Sequence, residues 1–248
     1  MGVDWGIRSP LGLKLKGLGA QADDLDVFLP AVKCRVSVAA RDNVIHEADA
    51  RGQVKILLAG TTCSYMRKED CARTILAFQH PGDFCGLHRY VPPDSRTIGL
   101  QAITDCTIGF IDYRDMDELL SRPTLASAFW RASMLEAAGY RERLSSTDRR
   151  TALERVAHLF CEQLARREAV GIHTPRLPFS QIDVADAVAL SIVHVNRAIQ
   201  KLRSLNVLSK AKHAIEVVDR KRLSEIARFD DHHLNVPNFV SKWTVQIE

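Results

Sequence analysis

Residues 191–201 carry several side chains suited to reading DNA base pairs. The planar fork of Arg197 matches the O6 and N7 acceptors of guanine, a contact worth about 1–3 kcal/mol of base discrimination. Asn196 is suited to adenine or to a local capping bond, and Ile192 and Val193 offer apolar contact to thymine methyl groups. The stretch therefore indicates a surface that recognises double-stranded DNA.

A second set of polar residues is suited to holding the DNA backbone rather than to reading bases. It comprises residues of the same stretch and of a basic tip a few positions downstream: Ser191, His194, Lys201, Lys210 and Lys212. The ordinary alternative for each residue of either set is a solvated polar group or a half-buried packing residue on a helix surface.

The pattern around these residues predicts a helix-turn-helix. Ser191 is a capping residue for a helix whose inward side chains are Val195, Ala198, Ile199, Leu202 and Leu205. Before it, Ser180 with Asp183 has the spacing of a capping box, and it opens a short helix with Ile182, Ala185 and Val188 inward. The two helices meet across residues 188–190.

Two short β-prone segments follow the second helix, Val207–Ser209 and Ala214–Val218. They predict a two-stranded wing with lysines at its tip, which can reach the DNA backbone beside the groove that the second helix enters.

Upstream of this motif the sequence predicts two longer helices. The first starts at Pro123 and runs to about Leu144, with an apolar stripe of Leu125, Phe129, Ala132, Leu135 and Ala138. Its wide stripe can pack against its own domain and a twin helix of a second chain, or against its own domain alone. The second helix is predicted to be capped by Thr147 and to end near Gly171, with Leu153, Val156, Ala157, Phe160 and Leu164 on one face.

Residues 31–112 are typical of short strands separated by turns. The extended runs are Lys33–Ala39, Val54–Leu58, Thr61–Met66, Thr74–Phe78, Ile98–Ile103 and Thr107–Ile111. Strands of this length and spacing predict an antiparallel sandwich or barrel.

Charge is unevenly distributed along the 248 residues. Basic and acidic residues number 18 and 18 in residues 1–145, 15 and 9 in residues 146–228, and 1 and 3 in residues 229–248. All the excess positive charge therefore lies in the segment with the helix-turn-helix, as phosphate neutralisation requires. A solvated basic face would look the same by charge alone.

Composition narrows the class of protein further. The 46% apolar content suits a packed protein, and no apolar run approaches a membrane span, so we expect a cytoplasmic protein without membrane contact. The six cysteines include no Cys-x-x-Cys pair, which argues against structural zinc and clustered iron–sulfur ligands. We expect idle buried thiols, with a redox-sensing cysteine as the alternative.

Residues 179–208, FSQIDVADAVALSIVHVNRAIQKLRSLNVL, closely resemble the DNA-binding motif of the Crp/Fnr family of bacterial regulators. Residues 74–87, TILAFQHPGDFCGL, are similar to the family's sensor-domain turn, and residues 155–164 and 223–234 to its hinge-side helix and C-terminal end. The resemblance implies a DNA-binding transcription regulator that is a homodimer on a near-palindromic site, contacts RNA polymerase if it is an activator, and is not an enzyme.

The resemblance also implies an α+β fold with an N-terminal antiparallel β-roll like a cyclic-nucleotide-binding domain, a long dimerisation helix and a C-terminal winged helix-turn-helix. The expected divisions are an N-terminal segment with a short helix (1–30), the β-roll (31–120), the dimerisation helix (121–146), the DNA-binding domain (147–228) and a tail (229–248).

Two departures from the family pattern matter. Relatives that bind cyclic AMP have an acid after the glycine of the phosphate cassette, whereas Leu87 and His88 follow Gly86 here and only Arg96 and Thr97 keep the phosphate partners. We therefore expect poor cyclic AMP binding at this effector pocket, and no cofactor is predicted. In addition, Val193 stands where TGA-reading relatives have an acid, which predicts a changed half-site.

Other sensing chemistries and other functions stay open at this point. Haem-dependent relatives exist, and the candidate axial ligands are His46, His80 and His88, although their spacing does not single out a haem. A Cys85–His88 hydrolase is a rival, but no orienting group or oxyanion donor accompanies the pair. A cyclic-nucleotide-responsive or haem- or redox-responsive module with weak or lost DNA binding is the alternative function.

Overall fold

The computed structural model describes residues 6–45, 52–67, 73–85, 98–211 and 214–234. It begins with two helices, α1 (Pro10–Gly17) and α2 (Ala22–Ala31), where the sequence predicted one short helix. The missed signal is local, because the backbone N–H of Gln21 donates to the Asp24 carboxylate (2.8 Å) in a capping box that opens α2.

Eight strands follow in the described residues, and we call residues 31–120 the sensor domain after the resemblance. They are β1 (Lys33–Val38), β2 (Asn43–Ile45), β3 (Gln53–Ala59), β4 (Thr62–Arg67), β5 (Arg73–Gln79), β6 (Phe84–Cys85), β7 (Ile98–Ala102) and β8 (Cys106–Asp112). All pairings are antiparallel, in two sheets of order β1-β8-β3-β6 and β2-β7-β4-β5. The predicted antiparallel architecture is confirmed, and β2 and β6 are strands that the sequence pattern missed because they span only three and two residues.

Each sheet packs against helices on one side. The sheet containing β3 and β8 buries Ile56 and Ile111 against Leu15 of α1, Phe28 of α2 and Phe129 of the long helix described next. Burying a large aliphatic or aromatic side chain contributes roughly 1.5–3 kcal/mol, so this cluster holds the N-terminal helices to the sensor domain.

The chain leaves the sheets through α3 (Tyr113–Leu120), the long helix α4 (Pro123–Arg149) and α5 (Ala152–Glu168). The predicted start of α4 at Pro123 is confirmed, but the predicted cap at Thr147 is wrong, because Thr147 lies within α4. The cap of α5 is Thr151, whose Oγ1 accepts from the backbone N–H of Glu154 (3.3 Å) while the Glu154 carboxylate accepts from the N–H of Thr151 (2.8 Å). Thr151 has a glutamate three residues on and Thr147 does not, which is the signal that separates them.

The remaining elements form the winged helix-turn-helix. They are β9 (Arg176–Leu177), α6 (Gln181–Val188), α7 (Ile192–Ser204), β10 (Leu208–Ala211), β11 (Ala214–Val217), α8 (Arg220–Ala227) and a short 3₁₀ helix (His232–Leu234). The wing is a three-stranded sheet of order β10-β11-β9, whereas the sequence predicted a two-stranded hairpin. The sequence does not reveal the third strand, because β9 has only two residues and no periodic pattern. In the described part of the chain, no helix combines the length and apolar character needed to cross a membrane.

Candidate DNA-binding surface

Helix α7 begins at the predicted cap. Ser191 has an extended backbone conformation, and its hydroxyl accepts from the backbone N–H of His194. The same hydroxyl lies 2.8 Å from Nδ1 of His194, so the cap also orients the imidazole. The first turn of α7 is therefore fixed by side chains of its own sequence.

One face of α7 is buried and the other is exposed, as the helical period predicts. Val195, Ala198, Ile199 and Leu202 are buried in the core of the C-terminal domain. The exposed face carries all seven residues of α7 and its cap that the sequence assigned to DNA contact: Ser191, Ile192, Val193, His194, Asn196, Arg197 and Lys201. Ile192 and Val193 are large apolar side chains left about half exposed in the first turn of this face.

The wing is braced against its third strand. Glu216 of β11 accepts hydrogen bonds from the Ser209 hydroxyl (2.6 Å) and from Arg176 of β9 (3.0 Å), and these contacts lower the pKa of its carboxyl group. Lys210, on β10, is exposed. Lys212 lies outside the described residues, so its predicted position at the tip stays a prediction.

The turn between α6 and α7 follows the prediction for residues 188–190. Ala189 has φ +51°, and the N–H of Leu190 donates to the carbonyl of Ala185 (3.2 Å), which closes the end of α6. A left-handed residue at the helix end lets the chain reverse within three residues. The turn thereby sets the angle between the two helices.

Helix α6 matches the predicted orientation in part. The capping box of Ser180 and Asp183 is confirmed, and of the three residues expected inward Ala185 is buried and Val188 is partly buried against the same core. Ile182, also expected inward, is 54% exposed, while Val184 is fully buried. Next to Ile182, the Asp183 carboxylate is bound by Arg41 and Arg73 of the sensor domain. Sequence reasoning missed both arginines, since they lie more than a hundred positions away in the chain.

A cavity of about 460 Å³ lies where the sensor domain, α4, α5 and the turn of the helix-turn-helix meet. Its wall includes Ile75 and Leu76 of β5, Tyr140 and Arg143 of α4, and Val188 of α6. The volume falls within the range of small-molecule sites.

The five residues of the predicted effector pocket lie outside the described residues: Gly86, Leu87, His88, Arg96 and Thr97. The same holds for the haem candidate His46.

The remaining haem candidate, His80, is held by the core. It is almost fully buried, its Nε2 lies 2.9 Å from the Gln163 side-chain oxygen, and burial lowers the pKa of its imidazole to about 3. This nitrogen is already engaged in a hydrogen bond that joins the residue after β5 to α5.

The four cysteines whose side chains the structure describes are also poor candidates for chemistry. Cys63, Cys85, Cys106 and Cys161 are all buried, and burial raises the pKa of each thiol, to about 12 for Cys63, Cys85 and Cys161. A thiol with such a pKa is protonated at neutral pH and is a weak nucleophile. The hypothesis of a Cys85–His88 hydrolase requires a Cys85 thiolate, and the raised pKa of this thiol does not support it.

Two family models match the chain. Residues 35–123 match the cyclic nucleotide-binding domain, and residues 154–226 match the Crp-like helix-turn-helix domain. The matched segments coincide with the sensor domain and with α5 through most of α8.

Similar proteins include regulators from several bacteria. The chain is 26% identical over 196 residues to the nitrogen fixation regulation protein FixK of Bradyrhizobium diazoefficiens, covering 78% of this chain and 81% of that protein. It is 26% identical over 212 residues to the transcriptional activator protein FnrL of Cereibacter sphaeroides, covering 82% and 84%. The solved structure of FixK2 from Bradyrhizobium japonicum shares the fold, with a TM-score of 0.67, 24% identity, and coverage of 78% of this chain and 96% of that one.

Proposed function

The chain belongs to the Crp/Fnr family of DNA-binding transcription regulators, and from that premise we propose that it binds a near-palindromic operator as a homodimer, with one α7 helix in each half-site. The observation that carries the proposal is the exposed face of α7, where polar and apolar side chains stand free of the core beside a domain with excess positive charge.

The proposed division of labour follows from the chemistry of each side chain. Arg197 reads guanine through O6 and N7, Asn196 reads a neighbouring base, and Ile192 and Val193 contact thymine methyl groups. The Ser191 hydroxyl lies 2.8 Å from Nδ1 of His194 and orients the ring, so Nε2 is left to contact a phosphate.

Lysines supply the remaining contacts with the DNA backbone. Phosphates on either side of the groove are neutralised by three lysines: Lys201 of α7, Lys210 of β10 and Lys212. Because Val193 cannot accept a hydrogen bond from cytosine, we propose a half-site that differs from TGA at the position it faces.

The homodimer is supported by a second apolar face of α4. Trp130, Met134 and Leu144 are exposed, with exposed fractions of 66%, 41% and 74%. Together with Ala137 and Arg141 they follow alternating steps of four and three residues, the repeat of a two-stranded coiled coil. A twin α4 helix would cover this face, while the opposite face packs on the sensor domain.

The operating context follows from the relatives. Since FnrL is a transcriptional activator, we propose that this protein also activates transcription through contact with RNA polymerase, in the cytoplasm where bacterial DNA lies. We propose that the effector pocket is formed by five residues: Gly86, Leu87, His88, Arg96 and Thr97. Since no acid follows Gly86, we expect that this pocket binds cyclic AMP poorly and that DNA binding by the protein does not require cyclic AMP.

The test is selection of binding sites from a random duplex library with the full-length protein, followed by salt titration on the selected site. We expect a palindrome with a required guanine in each half-site and a steep loss of affinity as salt rises. The guanine requirement should disappear in Arg197→Ala and persist in Arg114→Ala, which removes an exposed arginine of α3 in the sensor domain.

The opposite result is equally clear. Unchanged affinity and unchanged selected sequence in Arg197→Ala would show that α7 does not read DNA in the proposed way. Such a result would favour a ligand-binding module that has lost sequence-specific DNA binding.

A further inference from the structure

The Asp183 carboxylate of α6 is completely buried and accepts hydrogen bonds from both domains. Within its own domain it accepts from the backbone N–H (2.9 Å) and hydroxyl (2.7 Å) of Ser180. From the sensor domain it accepts two bonds from Arg41, at 2.8 and 2.9 Å, and one from Arg73, at 2.9 Å. One carboxylate thus joins the start of the helix-turn-helix to two sensor-domain arginines.

The ionisation of Asp183 agrees with this role. Burial alone would raise the pKa of its carboxyl group, but the hydrogen bonds from Arg41, Ser180 and Arg73 outweigh burial and lower the pKa. The carboxylate is therefore charged at neutral pH, which the two-pronged contact with Arg41 requires.

The two arginines are also tied to each other and to α6 at a second point. Arg73 donates through Nε to Asp186 (2.7 Å), one helical turn after Asp183, and through Nη1 to the Gln101 side chain. Gln101 in turn donates to the backbone carbonyl of Arg41 (2.9 Å). We call Arg41, Arg73, Asp183 and Asp186 the interdomain clamp.

An aromatic pair also joins the two domains next to the start of α6. Phe78 of β5 and Phe179, just before α6, stack with ring centres 4.1 Å apart, and both are buried in one core that spans the two domains. The two-pronged contact of Arg41 with Asp183 adds geometric specificity to the packing of the aromatic rings. The clamp is therefore suited to fixing the direction of α6.

We infer that Arg41 and Arg73 are positioning residues that set which half-site spacing the dimer accepts. The inference rests on the proposed homodimer and adds the following chain of contacts. The closed turn at Ala189 ties α7 to α6, the clamp ties α6 to the sensor domain, and the sensor core ties that domain to α4. With two α4 helices paired, the separation of the two α7 helices is fixed, and half-sites must match it.

The experiment compares three duplexes that carry the selected half-sites at the preferred spacing, with one base pair added, and with one base pair removed. The wild-type protein should prefer the first duplex strongly. In the double variant Arg41→Ala/Arg73→Ala the preference should fall by about tenfold, equivalent to about 1.4 kcal/mol, while the guanine requirement at each half-site is unchanged.

Arg122→Ala is the matched control. Arg122 donates to Asp24 (2.9 Å), which is buried and belongs to the capping box of α2, so the same kind of bond is lost without touching α6 or the clamp. We expect Arg122→Ala to keep the wild-type spacing preference.

If the double variant does not fold, Arg41→Ala alone serves, because the Arg41 side chain is 47% exposed and its loss leaves less buried charge unpaired. An unchanged spacing preference in the folded variant, or an equal loss in Arg122→Ala, would overturn the inference. A wild-type protein that binds single half-sites regardless of spacing would instead refute the proposed homodimer, and the clamp inference with it.

Discussion

The two helices of the helix-turn-helix begin in the same way and serve opposite purposes. Both α6 and α7 start at a serine whose hydroxyl accepts a backbone N–H three residues on. After that point α6 buries Asp183 beneath arginines of the other domain, whereas α7 presents Arg197 and its neighbours to solvent. Helix α6 is therefore bound to the sensor domain, whereas the exposed face of α7 is available to bind a partner. Because only three residues separate the two helices, the position of α6 determines the position of α7.

The largest effect should come from removing the carboxylate that holds α6. Asp183→Ala leaves Arg41, Arg73 and the N–H of Ser180 without their acceptor, and breaking a buried pair of this kind costs about 3–5 kcal/mol. We expect the free energy of unfolding of the full-length protein, measured by denaturant titration, to fall by about this amount.

Asp186→Ala is the control for this substitution. Asp186 is partly exposed and accepts a single bond from Arg73, so its loss should cost only about 1 kcal/mol. A cost of only about 1 kcal/mol at Asp183 as well would mean that α6 is held by its apolar contacts rather than by the clamp.

The second effect, on α7, should appear in binding and not in folding. Arg197→Ala should weaken operator binding by about 1–3 kcal/mol for each half-site, roughly five- to 150-fold, because a forked contact to guanine is lost. Its free energy of unfolding should stay within about 0.5 kcal/mol of wild type, since the side chain is exposed. Fluorescence anisotropy and denaturant titration measure the two quantities, and a marked loss of stability would place Arg197 in the fold instead.

A smaller effect is expected at the cap of α7. Ser191→Ala removes the acceptor for the N–H of His194 and the bond to its imidazole, which should cost about 1 kcal/mol of stability. Ser191→Asp keeps an acceptor and should retain that stability, while its negative charge weakens DNA binding. If Ser191→Ala and Ser191→Asp are equally stable, the cap contributes nothing.

The smallest effect is expected at Ile182, which the helical pattern placed inward. Because this side chain is more than half exposed, Ile182→Ser should change the free energy of unfolding by no more than about 0.5 kcal/mol. Val184→Ala, two residues on and fully buried, should cost about 1–2 kcal/mol, since buried methyl groups are lost. If Ile182→Ser cost more stability than Val184→Ala, Ile182 would lie inward, as the helical pattern predicts.

How well the sequence predicted each region depends on where its contacts lie. The faces of α7 were predicted correctly, because its buried residues pack on elements of the same domain and follow the helical period. The exposure of Ile182 and the partners of Asp183 in α6 were not, because Arg41 lies 142 positions before Asp183, and no periodicity reports such a distant partner. Asp183 was identified only as a local capping acid.

The same contrast holds at the ends of elements. The caps at Ser180 and Ser191 were recognised from short-range spacing, whereas the choice of Thr147 over Thr151 neglected the glutamate that completes the box. Strands of two or three residues, such as β6 and β9, carry too little pattern to be recognised and exist only because a neighbouring strand pairs with them.

The central claim, that α7 reads guanine through Arg197, is tested most directly by replacing the required guanine of the selected operator with 7-deazaguanine. This base keeps O6 and its pairing but lacks the N7 acceptor. We expect wild-type affinity to fall by about five- to tenfold and Arg197→Ala to lose nothing further, since the partner of N7 is already absent. An equal loss in both proteins would show that another residue contacts this base and would contradict the claim.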